Sequence, residues 1–431
     1  MSAPADAALQ APAASRMAAH VTLALLFVIS LFNYTDRYMI AILLPSIKQD
    51  FGLSDTQMGV LTGIAFTLFY VVVGVPIARL ADQTSRKKIL VIALALWSLM
   101  TAACGMALNF TQLLVARMLV GIGEAGSSPP SYSAIADLYP KHRRATAMAV
   151  YLAGAPAGIL IGFILGGWLA EEYGWRYALL AVGLPGALFA VALIWLFKEP
   201  RRGESDGVEK TRAIPFMEGF KALLANRTFR HAAMGSAFYN ALAVTYVNWM
   251  PSFFVRSHGM GVSETGVTLA LIFGPAQIVG LLAGGYFSDR LARLDVRWYL
   301  RVPAIVMLLA APFFMLCLGV HSTALALTCL AIPLLVGGMQ VSPIFAITPS
   351  LVDVRMRAVA SAVLILIINL ISGGVGPVVV GMLSDLLAPE QGMQSLKYAL
   401  LIVTPVFSLW AALHYYLGSR HILADIRERP Q

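Results

Sequence analysis

The sequence predicts an all-α integral membrane protein, with twelve transmembrane helices in two pseudo-symmetric six-helix bundles. Three observations carry that prediction: apolar runs of about 20 residues recur almost end to end, Lys and Arg collect in alternate loops, and motifs of the first half return in the second. The 431 residues are 59% hydrophobic and only 12% charged, and the mean hydropathy is +0.77; a soluble domain carries roughly 25% charged residues.

Residues 1–20 are rich in Ala and Pro and read as a disordered cytoplasmic tail. The run from Val21 to Leu44 is too long for a signal-peptide core and lacks a small-residue cleavage site, so it is the first span. Further spans begin near Gln57, Lys88, Thr111, Ala145 and Trp175, then near Phe229, Glu264, Arg297, Thr323, Met356 and Met393. This divides the chain into a first bundle at 21–198, a cytoplasmic linker at 199–228 holding Arg201, Arg202, Lys210 and Arg212, a second bundle at 229–418, and a cytoplasmic tail at 419–431.

Basic residues set the orientation, since cytoplasmic loops retain Lys and Arg. One side collects Arg79, Arg86, Lys87 and Lys88, Lys141, Arg143 and Arg144, the linker, Arg290, Arg293, Arg297 and Arg301, Arg355 and Arg357, and Arg420, Arg427 and Arg429. The other side has Lys48, Arg176, Arg256 and Lys397. Both termini are therefore expected in the cytoplasm, which an even number of spans requires.

Two echoes mark the duplication. The Asp82-Gln-Thr-Ser-Arg86-Lys-Lys loop answers Gly285-Tyr-Phe-Ser-Asp289-Arg290, and Pro130 precedes Arg144-Ala145 by the same distance as Pro343 precedes Arg357-Ala358. Glycine and proline in Gly154-Ala-Pro156-Ala-Gly158 and in Gly373-Gly374-Val-Gly376-Pro377 allow either helix bending or close helix approach.

These motifs resemble those of the major facilitator superfamily from Val21 to about Gly418. Asp82, Arg86, Lys87 and Lys88 match its loop motif, while Ala78, Gln83 and Ser85 depart from it; Gly285, Asp289 and Arg290 form the second copy. Arg117, Gly121 and Gly123 match the helix 4 motif, and Gly154, Pro156 and Gly158 the helix 5 motif. Asn33-Tyr34-Thr35-Asp36-Arg37, Gly123-Glu124-Ala125-Gly126 and the segment Pro129 to Tyr139 are similar to the spinster family of lipid transporters. The resemblance implies a secondary transporter in a bacterial inner membrane, moving sphingolipid-like or lysolipid molecules by alternating access with proton coupling. It also implies that the loop motif is a conformational latch, in which Asp82 caps a helix and Arg86 and Lys87 pair with acids such as Asp137, with Asp289 and Arg290 as the second copy.

A charge at mid-bilayer costs roughly 2.5 to 3.5 kcal/mol on insertion scales and calls for a partner or a cavity. Asp36, Arg37, Arg117 and Glu124 are the clearest cases. At about 1.5 Å per residue, Asp36 and Arg117 each lie roughly 12 Å inside the outer ends of antiparallel helices, where they are placed to form a gated ion pair. Glu124 sits about 10 Å further along helix 4 on the face of Arg117. Burial favours a protonated carboxyl and a nearby guanidinium favours the ionised one, so movement of Arg117 against Asp36 or Glu124 is a means of loading and releasing a proton. The alternative is that the four charges only neutralise one another and fix packing. Arg37 points about 100° away from Asp36 and is free to meet an anionic headgroup.

With Arg37, the expected substrate contacts are Asn33, Tyr34 and Ser127 in the first half and Tyr239, Tyr246, Asn248, Trp249 and Asn369 in the second, with Asn240 a further candidate. The second half shows no clear mid-span acid or base, which suits an acyl chain. A small organic anion clamped by Arg37 and Arg117, or a hydrophobic drug, is the competing substrate class. A channel fits the duplicated halves less well.

The net charge of +9 is spread over loops, so nucleic acid is not an expected partner. Cys104, Cys317 and Cys329 lie in apolar runs without ligand spacing, the seven histidines are dispersed, and no P-loop, HExxH or GxSxG occurs. Neither an enzyme, a cofactor nor a metal is expected. The expected partners are substrate, protons and the bilayer, with a monomer as the functional unit.

Overall fold

The computed structural model describes residues 13–200, 216–352 and 356–427. Six helical rods come first: α1 (Ala13–Phe51), α2 (Asp55–Thr62) continued by α3 (Ile64–Gln83), α4 (Arg86–Gly105), α5 (Phe110–Glu124) with α6 (Ser128–Leu138), α7 (Lys141–Leu152) with α8 (Gly154–Tyr173), and α9 (Trp175–Leu196). After a short α10 (Phe216–Ala225), six more follow: α11 (Arg227–His258), α12 (Val262–Ala292), α13 (Trp298–Gly319), α14 (Thr323–Gly338) with α15 (Val341–Ile347), α16 (Arg357–Gln391) and α17 (Ser395–Arg427).

Helix extends beyond the boundaries expected from hydropathy. α1 starts at Ala13, inside the expected tail; α10 occupies the end of the linker, with Leu223 fully buried; and α17 runs to Arg427. Residues 1–12 and the linker arginines Arg201, Arg202 and Arg212 lie outside the described residues, as does Lys210.

Among the described residues, nine stretches are long and apolar enough to cross a membrane, one of them spanning both α16 and α17. The two rods that composition passes over are α5–α6, which holds Arg117, Glu124 and a break, and α11, whose Asn240, Thr245 and Asn248 lower its hydropathy. Large apolar side chains such as Leu188, Trp195, Leu282 and Leu386 point outward, as a lipid-facing surface requires.

The two halves repeat one packing scheme. In the first, α1 packs on α8 and α9, α3 on α5, α4 on α5 and α9, and α8 on α9. In the second, α11 packs on α16 and α17, α12 on α14, α13 on α14 and α17, and α16 on α17. The echoes found in the sequence fall at matching places: Pro130 in α6 and Pro343 in α15, each just beyond the break in its rod. Proline is tolerated there because the first helical turn needs no N–H donors; Pro156, in the first turn of α8, marks the break at Ala153 in the same way.

Glycine permits the closest contacts. A Cβ on Gly154 would lie 2.7 Å from Ser30 Cβ, and one on Gly158 would lie 2.6 Å from the Leu31 carbonyl oxygen of α1. One on Gly376 would lie 2.6 Å from the Ala241 carbonyl oxygen of α11. α16 runs unbroken through Gly376 and Pro377, and the Pro377 carbonyl accepts from Trp249 Nε1 at 3.1 Å. Replacing Gly158 by Val is expected to force α1 and α8 apart and to cost roughly 1–3 kcal/mol; thermal unfolding in detergent should show a lowered Tm, with Gly158→Ala less affected.

Candidate functional site

Between the halves lies a cavity of about 210 Å³. The first half lines it with Tyr34, Arg37 and Tyr38 of α1, Thr62 of α2, and Phe66, Thr67 and Tyr70 of α3. The second half supplies Asn240, Val244 and Asn248 of α11, and Asn369, Ser372 and Gly373 of α16. Helical periodicity explains the selection, since Asn240, Val244 and Asn248 recur at i, i+4 and i+8 on one face.

Arg37 dominates the cavity. Its Nε and Nη2 both donate to Glu124 Oε2, at 3.0 and 2.7 Å, and Nη2 also donates to Asn33 Oδ1 at 3.4 Å. The guanidinium lies 5.3 Å from the centre of the Tyr34 ring, 4.7 Å from Phe66 and 4.9 Å from Tyr70. Such contacts are worth about 0.5 to 2 kcal/mol each, more where water is excluded. The Arg37 side chain is 21% exposed and that of Glu124 is fully buried, so the pair presents a cation to the cavity and hides its anion.

The ion pair expected between Asp36 and Arg117 is not what forms. Asp36 Oδ2 accepts from Thr101 Oγ1 of α4 at 3.1 Å, while Arg117 Nη2 donates to the Arg37 carbonyl at 3.0 Å and its guanidinium lies 4.8 Å from the Phe66 ring. Adjacent residues on α1 face directions about 100° apart. Asp36 therefore meets α4, and its neighbour Arg37 meets the acid on α5. Asp36 Oδ1, Arg117 Nε, Glu124 Oε1 and Trp97 Nε1 are buried without hydrogen-bond partners, leaving unspent polar capacity around the carboxylates.

The glycines of α5 set this geometry. A Cβ on Gly121 would lie 2.6 Å from the Phe66 carbonyl oxygen, and one on Gly123 would lie 2.8 Å from Trp97 Cβ. Their absence lets α3 and α4 close on α5, which seats Phe66 between the two arginines.

Five of the expected contacts do not line the cavity: Asn33 is buried and bonded to Arg37, and the other four lie elsewhere. Ser127 is buried in the break between α5 and α6. Tyr239 packs against Gly337, Tyr246 stacks on Phe314 at 3.9 Å and bonds Thr404 Oγ1 at 2.6 Å, and Trp249 is bonded to Pro377. Tyr239 and Tyr246 are seven residues apart and share a face turned into the second bundle. Tyr38, Thr62, Phe66, Thr67, Tyr70 and Ser372 are wall residues that sequence reasoning missed, although Tyr34 and Tyr38 share one face of α1 and signal part of it.

Of the residues expected to form a latch, Arg86 has its partners within the first half and in the chain leaving it. Arg86 is fully buried; it pairs with Asp137 and donates to Ser133 Oγ at 3.1 Å and to the Pro200 carbonyl at 2.6 Å. Glu199 accepts from the Arg86 N–H at 2.7 Å and from Ser85, so the chain leaving α9 is tied to the start of α4. Lys87 joins no ion pair among the described residues, and the Asp82 side chain lies outside them. In the second copy Asp289 accepts from Tyr299 at 2.9 Å and Arg290 donates to Tyr286 at 3.2 Å, both local and exposed.

The halves are instead joined at the end opposite the termini. Asp55 at the start of α2 binds Arg256 of α11 at 2.7 and 2.8 Å, Ser384 of α16 at 2.6 Å, and Lys48 of α1. Asp385 of α16 accepts from the backbone N–H of Asp55 and of Thr56, both at 2.8 Å, capping α2. Close contacts of Gly59 with Pro377 and of Gly266 with Phe163 complete the closure between α2 and α16 and between α12 and α8.

The sequence profile of the Major Facilitator Superfamily matches residues 26–377. The chain belongs to that family. It is therefore an integral multi-pass membrane transporter and not an enzyme. It is 34% identical over 405 residues to an MFS-type efflux pump of Mycolicibacterium smegmatis, covering 94% of this chain and 93% of that protein. It is 29% identical over 407 residues to protein spinster homolog 1 of Xenopus laevis, covering 88% of this chain and 76% of that one. Among solved structures, it matches a bacterial homologue of the human lysosomal transporter Spinster in an inward-facing, unoccupied conformation, with a TM-score of 0.87 and 29% identity over 96% of this chain and 99% of that one.

Removing one partner of the central pair is expected to strand the other. Glu124→Ala should cost about 3 kcal/mol, read as a loss of thermal stability in detergent. The double variant Glu124→Ala with Arg37→Ala should lose less than the two single variants added together, since coupled sites do not add. Additive losses would show that the pair is not energetically coupled.

Proposed function

We propose that the protein is a proton-coupled secondary transporter working by alternating access, and that its substrate carries an anionic group held by Arg37. The observation that carries this reading is the asymmetric exposure of the Arg37–Glu124 pair, which offers a guanidinium to a cavity shared by both halves. A proton on Glu124 removes the competing charge and frees Arg37 for the substrate; loss of that proton draws Arg37 back and expels the anion. Asp36 is the second proton carrier. Arg117, bonded to the Arg37 carbonyl, links the shift of α1 to α5.

With the basic end in the cytoplasm of a bacterial inner membrane, the end closed by Asp55 faces outward and the cavity is served from inside. Opening the outer end requires Asp55 to part from Arg256 and Ser384.

Two substrate classes suit this site. A lipid-like amphiphile of the sphingolipid or lysolipid class is supported by the likeness to spinster proteins. A small polar organic anion is supported by the expected amides Asn240, Asn248 and Asn369, joined by Ser372, all of which line the cavity, since amides suit a hydroxyl-bearing molecule.

Proteoliposomes loaded with a labelled lysolipid, or with a labelled sugar acid, separate the two. Whichever is the substrate should move faster under an imposed pH gradient, and Asp36→Asn and Glu124→Gln should abolish that acceleration in folded protein. Arg37→Gln should raise KM by about tenfold or more, as loss of a charged hydrogen bond implies. Transport of either label at the same rate with and without the gradient would sink proton coupling.

A further inference from the structure

Four basic residues stand at the end opposite the termini. Lys48 and Arg256 bind Asp55, and Arg176 binds Asp50 at 2.5 Å. The fourth, Lys397, forms no ion pair among the described residues. It lines a separate cavity of about 280 Å³ with His258, His321, Ser257, Gln394 and Tyr398, and no Asp or Glu lies in its wall.

The cavity forms where α11 and α13 end and where α14 and α17 begin. Two negative and two positive helix ends meet there, so their fields largely offset and the side chains set the sign. That sign is positive. Lys397 occupies the first turn of α17, which holds no acidic residue. His258 is fixed by a 3.2 Å contact between its Nδ1 and Thr323 Oγ1, and its ring packs 5.3 Å from Phe253 and 5.2 Å from Phe254. A lysine, two histidines, a serine hydroxyl, an amide and a phenol in a room of this size form a donor-rich cup suited to an oxyanion.

We propose that this cavity is an anion site, separate from the pocket at Arg37, that takes a phosphate or carboxylate group. The group comes either from a free solute or from the head of an acidic lipid, because exposed Met393 and Tyr398 bring the lipid-facing surface to the same rim.

Thermal unfolding of the full chain in detergent, with inorganic phosphate against chloride at matched ionic strength, tests the first source. Nanodiscs of phosphatidylglycerol against phosphatidylcholine, with native mass spectrometry of retained lipid, test the second. A phosphate-dependent rise in Tm whose apparent affinity falls about tenfold in Lys397→Gln, and also falls in the exposed variant His321→Asn, supports a free oxyanion. Retention of phosphatidylglycerol that is lost in both variants, without a phosphate effect, supports a lipid headgroup. Asp36→Asn should leave either signal intact, so failure of proton coupling at Arg37 and failure of this site are distinguishable. Absence of both signals, or equal signals in wild type and variants, overturns the proposal.

Discussion

A guanidinium and a carboxylate inside a helical bundle are tolerated only together, and the Arg37–Glu124 pair is the contact on which the central site depends. Leaving either charge alone in a low dielectric costs several kcal/mol. The pair is held by more than its own attraction. Tyr34, Phe66 and Tyr70 surround the cation, Asn33 shares one of its donors, and Arg117 grips the backbone beneath it. Gly121 makes this possible, since a larger residue would drive α3, and with it Phe66, away from both arginines.

The chain is duplicated in architecture and divided in chemistry. Helix packing in the first half repeats in the second, down to the broken rods formed by α5 with α6 and by α14 with α15. The buried acids and arginines of the site belong to the first half, and the second contributes neutral amides and a hydroxyl. One half thereby carries the titratable groups of the site, and the other its neutral polar groups.

Polar closure gathers at one end. Asp55 draws two cations and a serine from three helices, and Asp385 caps α2, so four segments from both halves converge on a short stretch of chain. At the basic end Arg86 binds partners in its own half and in the chain leaving α9. The pseudo-twofold relation puts α2 against α16 and α8 against α12, and glycine lines both seams.

Much of this was legible in the sequence, because membrane insertion makes composition and loop charge nearly decisive. Apolar runs, one-sided Lys and Arg, and repeated motifs determined a duplicated helical membrane protein and the division into halves, even where α5 and α11 fall short in hydropathy. The intramembrane charges Asp36, Arg37, Arg117 and Glu124 also announced themselves, since each is costly without a partner. Which charge meets which was decided only in three dimensions. Side-chain direction on a helix turns by about 100° per residue, and neighbour identity depends on how glycines let the helices approach. That is why Arg37, rather than Arg117, holds Glu124, and why Asn240 faces the cavity while Tyr239 packs into the second bundle.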